Sequence, residues 1–317
     1  AKWDDTHRYI RLLLTHSGTG EDFHYVDLAR EISALNHRFY RQGMVYHIAN
    51  MTVHDTAGDL FMKVNTLPNT WGVSAAWKLG LENWIKMNRR AMPDWTEKKG
   101  RYSDFKCYFS PDHYDDVDVY SARDTEDDSV DRDEWLYSEF VSPDGLTGAD
   151  TMGIHMIGDS AGNAGTRTKI GLVQEYNNWR NLPHGTTAPE QDANLENHFY
   201  YNLFDDGTTN DEIIQAIIDD NDSPPYNRDD LVGQGSNLEN GLTVRECGLD
   251  SEFASIAHMG GCAVPLGLLC VETKSATSGN IVELLIEMVP GSYKGVQAES
   301  MGKVMESKII DFDWKVV

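Results

Sequence analysis

The sharpest chemical pattern in the sequence lies at residues 158–162, which read GDSAG and match G-x-S-x-G. In an α/β-hydrolase such a turn lifts a serine nucleophile, here Ser160, off the end of a strand and onto the start of a helix. Residues 151–157 read as a strand, and the triad order Ser, acid, His leaves His184, His198 and His258 as bases. No His-Gly-Gly run precedes the turn to supply an oxyanion hole, and the strand–helix alternation of that fold is missing. The pattern therefore reads as a glycine-rich polar turn. No catalytic residue is assigned, and a serine esterase using Ser160 stands as the alternative.

Metal chemistry is weakly indicated. Residues 124–134 (DTEDDSVDRDE) are rich in carboxylates, but an EF-hand count from Asp124 puts Ser129 where glycine is needed and Trp135 where the bidentate glutamate belongs. Asp219, Asp220 and Asp222 form a second oxygen-rich patch. Both read as solvated acidic loops. No metal site and no cofactor is expected, with calcium at contacts between subunits left open. The eleven histidines show no HExxH spacing. His47 and His54, seven residues apart in one strand, are expected on opposite faces. Four cysteines without a CxxC pair include Cys262 and Cys270, read as reduced, buried, small apolar side chains.

Basic chemistry is concentrated. Residues 78–106 hold eight Lys and Arg against four acidic residues, interleaved with Trp77, Trp84, Trp95, Tyr102 and Phe105. That composition suits single-stranded nucleic acid, although Trp77, Leu81 and Trp84 also fit the buried stripe of an amphipathic helix. A thinner set, Arg8, Arg11, Arg30, Arg38 and Arg41, lies near the start. Residues 107–150 carry fourteen acidic residues and two basic ones, and the whole chain has a net charge of −24. A surface binding nucleic acid everywhere is thereby excluded, because phosphate binding needs clustered cations. No apolar run approaches the ~20 residues that span a bilayer.

The elements that must position these groups are mostly strands. Residues 44–54 and 60–67 flank a polar turn and read as a hairpin; residues 263–273 and 280–289 flank residues 274–279 and read as a second. Further strands are expected at 101–109, 134–141, 151–157 and 169–174. Helices are expected at 74–92, capped by Ser74 and stopped by Pro93, and at 210–220. Long polar connections cover 112–133, 180–197 and 221–240. The pattern is mainly all-β: a β-sandwich with helices and elaborated loops in its connections, expected as one domain over residues 1–317.

Residues 25–50 (YVDLAREISALNHRFYRQGMVYHIAN), 171–176 (GLVQEY), 221–226 (NDSPPY) and 289–295 (VPGSYKG) resemble the capsid proteins of small circular Rep-encoding single-stranded DNA viruses. The resemblance implies a single eight-stranded jelly roll, a structural protein rather than an enzyme. Many copies would assemble into an icosahedral virion shell around a single-stranded DNA genome, without a membrane. It further implies that Arg8, Arg11, Arg38 and Arg41 face nucleic acid, that the acidic loops around 112–134 face outward, and that an Arg-rich arm precedes Ala1. A carbohydrate-binding sandwich using Trp71, Trp95 and Asp104 is the remaining alternative.

Overall fold

A computed structural model of the chain describes residues 6–17, 20–55, 59–92, 100, 102–115, 122, 135–141, 151–161, 167–180, 239–250 and 255–302. The expected helix at 210–220, the acidic run at 124–134 and the patch at 219–222 lie outside them. In chain order the first elements are β1 (Tyr9–Thr15), β2 (Glu21–Asp27), α1 (Leu28–Asn36), β3 (Met44–Asp55), β4 (Asp59–Thr66) and α2 (Trp71–Ala91). There follow α3 (Pro111–Asp115), β5 (Glu139–Val141), β6 (Thr151–His155), β7 (Lys169–Gly171) and α4 (Leu172–Arg180). The last group is β8 (Leu242–Asp250), β9 (Ile256–Gly260), β10 (Ala263–Pro265), β11 (Leu268–Ser275), β12 (Ile281–Met288), β13 (Pro290–Gly291), β14 (Gly295–Val296) and β15 (Ala298–Ser300). The chain divides into two compact units, Ala1–Ser74 with Asp115–Leu136 and Asn240–Val317, and Ala75–Tyr114 with Tyr137–Glu239.

The first unit is a jelly-roll sandwich. One sheet runs β1-β12-β3, with β9 and β10 pairing the far side of β3; the other runs β2-β11-β4-β8, and the pairings are antiparallel. Alternation drives the layering. Ile10, Leu12 and Leu14 of β1 and Val282, Leu284 and Ile286 of β12 are buried, while Tyr9, Arg11, Glu283 and Glu287 point away from the core. They meet Val26, Leu60, Met62, Val64, Leu269 and Val271 of the opposite sheet in one apolar core. Each such side chain stabilises the fold by about 1.5–3 kcal/mol through removal from water.

Both expected hairpins are corrected. The strands exist, but β3 and β4 do not pair with each other, nor do β11 and β12; each short turn carries the chain from one sheet to the other. Periodicity specifies which face of a strand is buried and says nothing about its neighbour. The expected strand at 263–273 is likewise broken: Leu266 (φ 59°) and Gly267 (φ 68°) turn the chain between β10 and β11. His47 and His54 share the side of β3 away from the core, against expectation. The register between β3 and β12 shifts beside Ala49, so burial passes from Tyr46 and Ile48 to Met51 and Val53. A bulge of this kind inverts the alternation beyond it.

In the second unit, α2 buries Ala76, Trp77 and Trp84 and exposes Lys78, Lys86, Arg89 and Arg90. The rings of Trp77 and Trp84 lie 6.3 and 5.8 Å from that of Phe105. The helix starts earlier than Ser74: the Val73 N–H donates to the Thr70 hydroxyl, so Thr70 serves as the cap. Residues 102–109, expected as a strand, form only an isolated bridge at Tyr108. The expected strand at 169–174 stops at Gly171 and turns into α4. Strand β6 pairs with β5 antiparallel and with β7 parallel.

Candidate nucleic-acid interface

The four arginines singled out in the sequence do not occupy one place. Arg11 leaves β1 on the outer face of its sheet, where its Nε donates to Glu283 Oε1 of β12 across 2.5 Å. Its charge is thus already matched. Arg8 immediately precedes β1, where its carbonyl accepts the Met288 N–H. Arg30, noted in the same thin set, is buried in α1 and pairs with Glu31 at 2.9 Å, so it has no surface role.

Arg38 and Arg41 sit together at the end of α1, and local chemistry fixes why. Asp27 caps the helix by accepting the Arg30 N–H, and its carboxylate also receives Gln42 Nε2 at 2.9 Å and the Trp135 indole at 3.2 Å. The helix ends at His37 in the left-handed region (φ 49°), with the Arg38 N–H closing back on Ser33 O. The chain then turns out through Phe39, Tyr40 and Arg41 into β3.

A third cation joins them from the other end of the chain. Lys294, in the tight turn between β13 and β14 (φ 51°), donates through Nζ to Phe39 O. Its ammonium lies 5.5 Å from the Tyr40 ring centroid and 5.6 Å from that of Tyr293, and the Arg41 guanidinium lies 5.8 Å from Phe39. Backbone groups lock the pieces: Tyr40 Oη donates to Lys294 O at 2.8 Å, and the Arg41 N–H donates to Tyr293 Oη at 3.1 Å. Partial burial, then Arg41 and Arg38, hold the Lys294 ammonium below the usual lysine range. In a chain with a net charge of −24, this is a local concentration of positive charge. Lys294 escaped sequence reasoning because it stands alone in its segment, far along the chain from its partners.

The GDSAG turn has a different occupation. Ser160 Oγ donates to Glu175 Oε1 at 2.8 Å and accepts the Gly171 N–H at 3.0 Å. Glu175 also takes Arg167 Nη1 at 2.5 Å. Among the described residues after β6, 156–158 form bends and Ala161 an isolated bridge with Lys169, and none of residues 156–161 is helical, whereas a nucleophile elbow starts its helix at the serine, here Ser160. His155, the nearby imidazole, spends its Nδ1–H on Ile157 O at 2.8 Å; burial pushes its pKa down to about 4. The turn is thus pinned to α4 by a carboxylate. Of the sugar-binding candidates, Trp95 lies outside the described residues, while Trp71 and Asp104 belong to different compact units. Cys270 is buried and Cys262 half-buried, and neither forms a disulfide. Among the described residues no group of three or more His, Cys, Asp or Glu is placed to hold a metal ion, and no helix is long and apolar enough to cross a membrane. Compared with known proteins, the chain matches no family, no curated protein and no solved structure.

Proposed function

We propose that the chain is a viral capsid subunit that self-assembles into an icosahedral shell around a single-stranded DNA genome. The observation that carries this reading is the strand order: β1-β12-β3-β9 faces β2-β11-β4-β8, the double-sheet jelly roll used by capsid proteins. Lectins and cupins use the same architecture, so the fold alone does not select a function. Two further features support a shell. The resemblance of residues 25–50 and 289–295 to capsid proteins of circular single-stranded DNA viruses covers α1, the start of β3 and the Lys294 turn. Apolar side chains also stand exposed on the strands of one sheet, with Tyr9 57%, Ile256 50% and Ile281 54% accessible, as contacts with neighbouring copies would require.

Negative-stain microscopy with light scattering on the purified chain tests this. Uniform hollow particles tens of nanometres across are expected; a monodisperse monomer at micromolar concentration and physiological salt overturns the reading.

A further inference from the structure

We infer that Asn240 is a site of spontaneous deamidation, and that the reaction loosens the start of β8 as the protein ages. The inference rests on covalent chemistry within the first unit and stands whether or not the chain forms shells.

Asn-Gly occurs once in the sequence, at Asn240 and Gly241. In this reaction the backbone nitrogen of the following residue attacks the asparagine Cγ. The N–Cγ bond forms, the Cγ–Nδ2 bond breaks and ammonia leaves, which closes a five-membered succinimide. Water then opens the ring. Attack at Cγ gives an aspartate in an ordinary backbone; attack at the main-chain carbonyl gives an isoaspartate, whose backbone runs through Cγ and is one carbon longer. One water is consumed and one ammonia released, with no catalyst and no oxidant. A Cβ on the attacking residue crowds the closing ring, and glycine has none.

The fold leaves this pair free to react. Asn240 is half-buried in a turn, and Gly241 follows it in the left-handed region (φ 82°). Among the described residues neither the Asn240 carboxamide nor the Gly241 N–H makes a hydrogen bond, and the ladder to β4 opens one residue later, with Leu242 opposite Thr66. Four other asparagines are held. Asn36 donates to His7 O and Ile32 O, Asn83 to Leu79 O, Asn88 to Trp84 O and Asn280 to Asp55. Each of them also precedes a residue with a bulky side chain: His37, Trp84, Arg89 and Ile281. Gly241 is itself buried, so the folded protein is expected to react more slowly than the unfolded chain.

The consequence falls on β8, the last strand in the order β2-β11-β4-β8. Its first residues are held by Leu242 opposite Thr66 and by the Thr243 hydroxyl, which donates to Asn65 Oδ1 at 2.8 Å. Leu242 is 46% exposed, so little apolar burial opposes its displacement. An added backbone carbon at residue 240 moves Leu242 along β4 and pulls on both contacts.

The test is peptide mapping by mass spectrometry on the purified whole chain, aged at physiological temperature and mildly basic pH. A second sample is aged unfolded in urea. Exchange of the carboxamide for a carboxyl is expected at residue 240, with isoaspartate identified by labelling with an isoaspartyl methyltransferase. Conversion there should exceed that at Asn36, Asn83, Asn88 and Asn280 by at least about tenfold, the factor that one hydrogen bond on the competing amides sets. Equal conversion at those four residues overturns the site in favour of general lability. An intact Asn240 after the time that converts the urea sample completely overturns it as well. Asn240→Gln, whose ring closure is far slower, should abolish the mass change. Hydrogen exchange then tests the consequence: amides of residues 242–244 should exchange faster in the aged parent than in the aged Asn240→Gln protein. Deamidation without that difference overturns the loosening of β8. Microscopy on the same samples reads the shell separately, because neither its presence nor its absence changes the expected chemistry at residue 240.

Discussion

His24 Nε2 and Thr273 Oγ1 lie 2.8 Å apart inside the first unit, joining β2 to β11. The same hydroxyl lies 3.4 Å from His16 Nδ1, whose Nε2 accepts the Ser275 N–H at 3.2 Å. Asp22 stands 3.2 Å from His16 Nδ1 and accepts from Ser17. This knot works with a neutral His24.

A pH dependence follows. Burial pushes the pKa of His24 down to about 4, with Asp22 opposing and His16 reinforcing the shift, and burial does the same to His155. In the unfolded chain both titrate near about 6.5. Between these values the unfolded state binds more protons, so stability falls as pH drops from about 6.5 to about 4. Each histidine contributes up to about 3 kcal/mol over that window. Asp22 acts lower: its depressed pKa removes stability only as pH falls below the ordinary carboxylate range. Urea midpoints of each unit should decline across pH 6.5 to 4, and His24→Gln should flatten the decline in the first unit. A flat wild-type profile there would refute the account.

Ser160→Ala should reveal a structural role. Glu175, with its side chain 1% exposed, would lose a hydroxyl donor, and the Gly171 N–H would lose its acceptor. Hydrogen bonds to a buried charge are worth about 1.5–3 kcal/mol, and that loss is expected in the second unit's unfolding. Ester hydrolysis should be the same for variant and parent, measured with p-nitrophenyl acetate. A selective loss of hydrolysis would restore the nucleophile.

Glu31 is the most demanding buried charge among the described residues of α1. It is 0% exposed, accepts the Ala122 N–H at 2.7 Å and holds Arg30 at 2.9 Å. Glu31→Ala removes the carboxylate 2.9 Å from the Arg30 guanidinium, and breaking a buried pair from one side costs about 3–5 kcal/mol. Thermal melting should show it. Glu31→Ala with Arg30→Met should recover part of the loss, because the buried guanidinium is removed together with the carboxylate that held it.

Gly261→Ala tests the bulge in β3. A Cβ at this position would collide with Ile48 O and Ala49 O, backbone atoms that cannot swing aside. A loss of about 3 kcal/mol or more is expected, in line with other overpacked backbone sites. Gly248→Ala, with open space around it, should be close to neutral.

These relationships show what could be read from residues alone. The apolar alternation of β12 and the long run of β3 were legible because burial on one face imposes a period of two. Pairing was not. A six-residue polar connection looks the same whether it closes a hairpin or crosses a sandwich, and only the demand that both sheets be filled decides between them. Strand β1 escaped notice although Ile10, Leu12 and Leu14 alternate, because Arg11 and the short length blur its signal. Helix α1 was hidden similarly: its buried Arg30 and Glu31 look like surface charges until their pairing is seen. Arg38 and Arg41 were legible as cations, and Arg11 equally so. What separated them was a carboxylate from β12 in one case and a lysine from a distant turn in the other.

The pairing of β1 with β12 also governs how the protein can be made. Tyr9 and Glu287 are partners 278 residues apart, so β1 leaves the ribosome long before the strand it pairs with. At translation speeds of about 5–20 residues per second, that interval is roughly 15–60 s. During it Ile10, Leu12 and Leu14 lack the strand that completes their sheet. Each nascent chain therefore presents an adhesive apolar strand while its neighbours on the same message do the same. Chaperone demand and growth temperature, more than the stability of the finished fold, should limit how much of this protein a cell can accumulate.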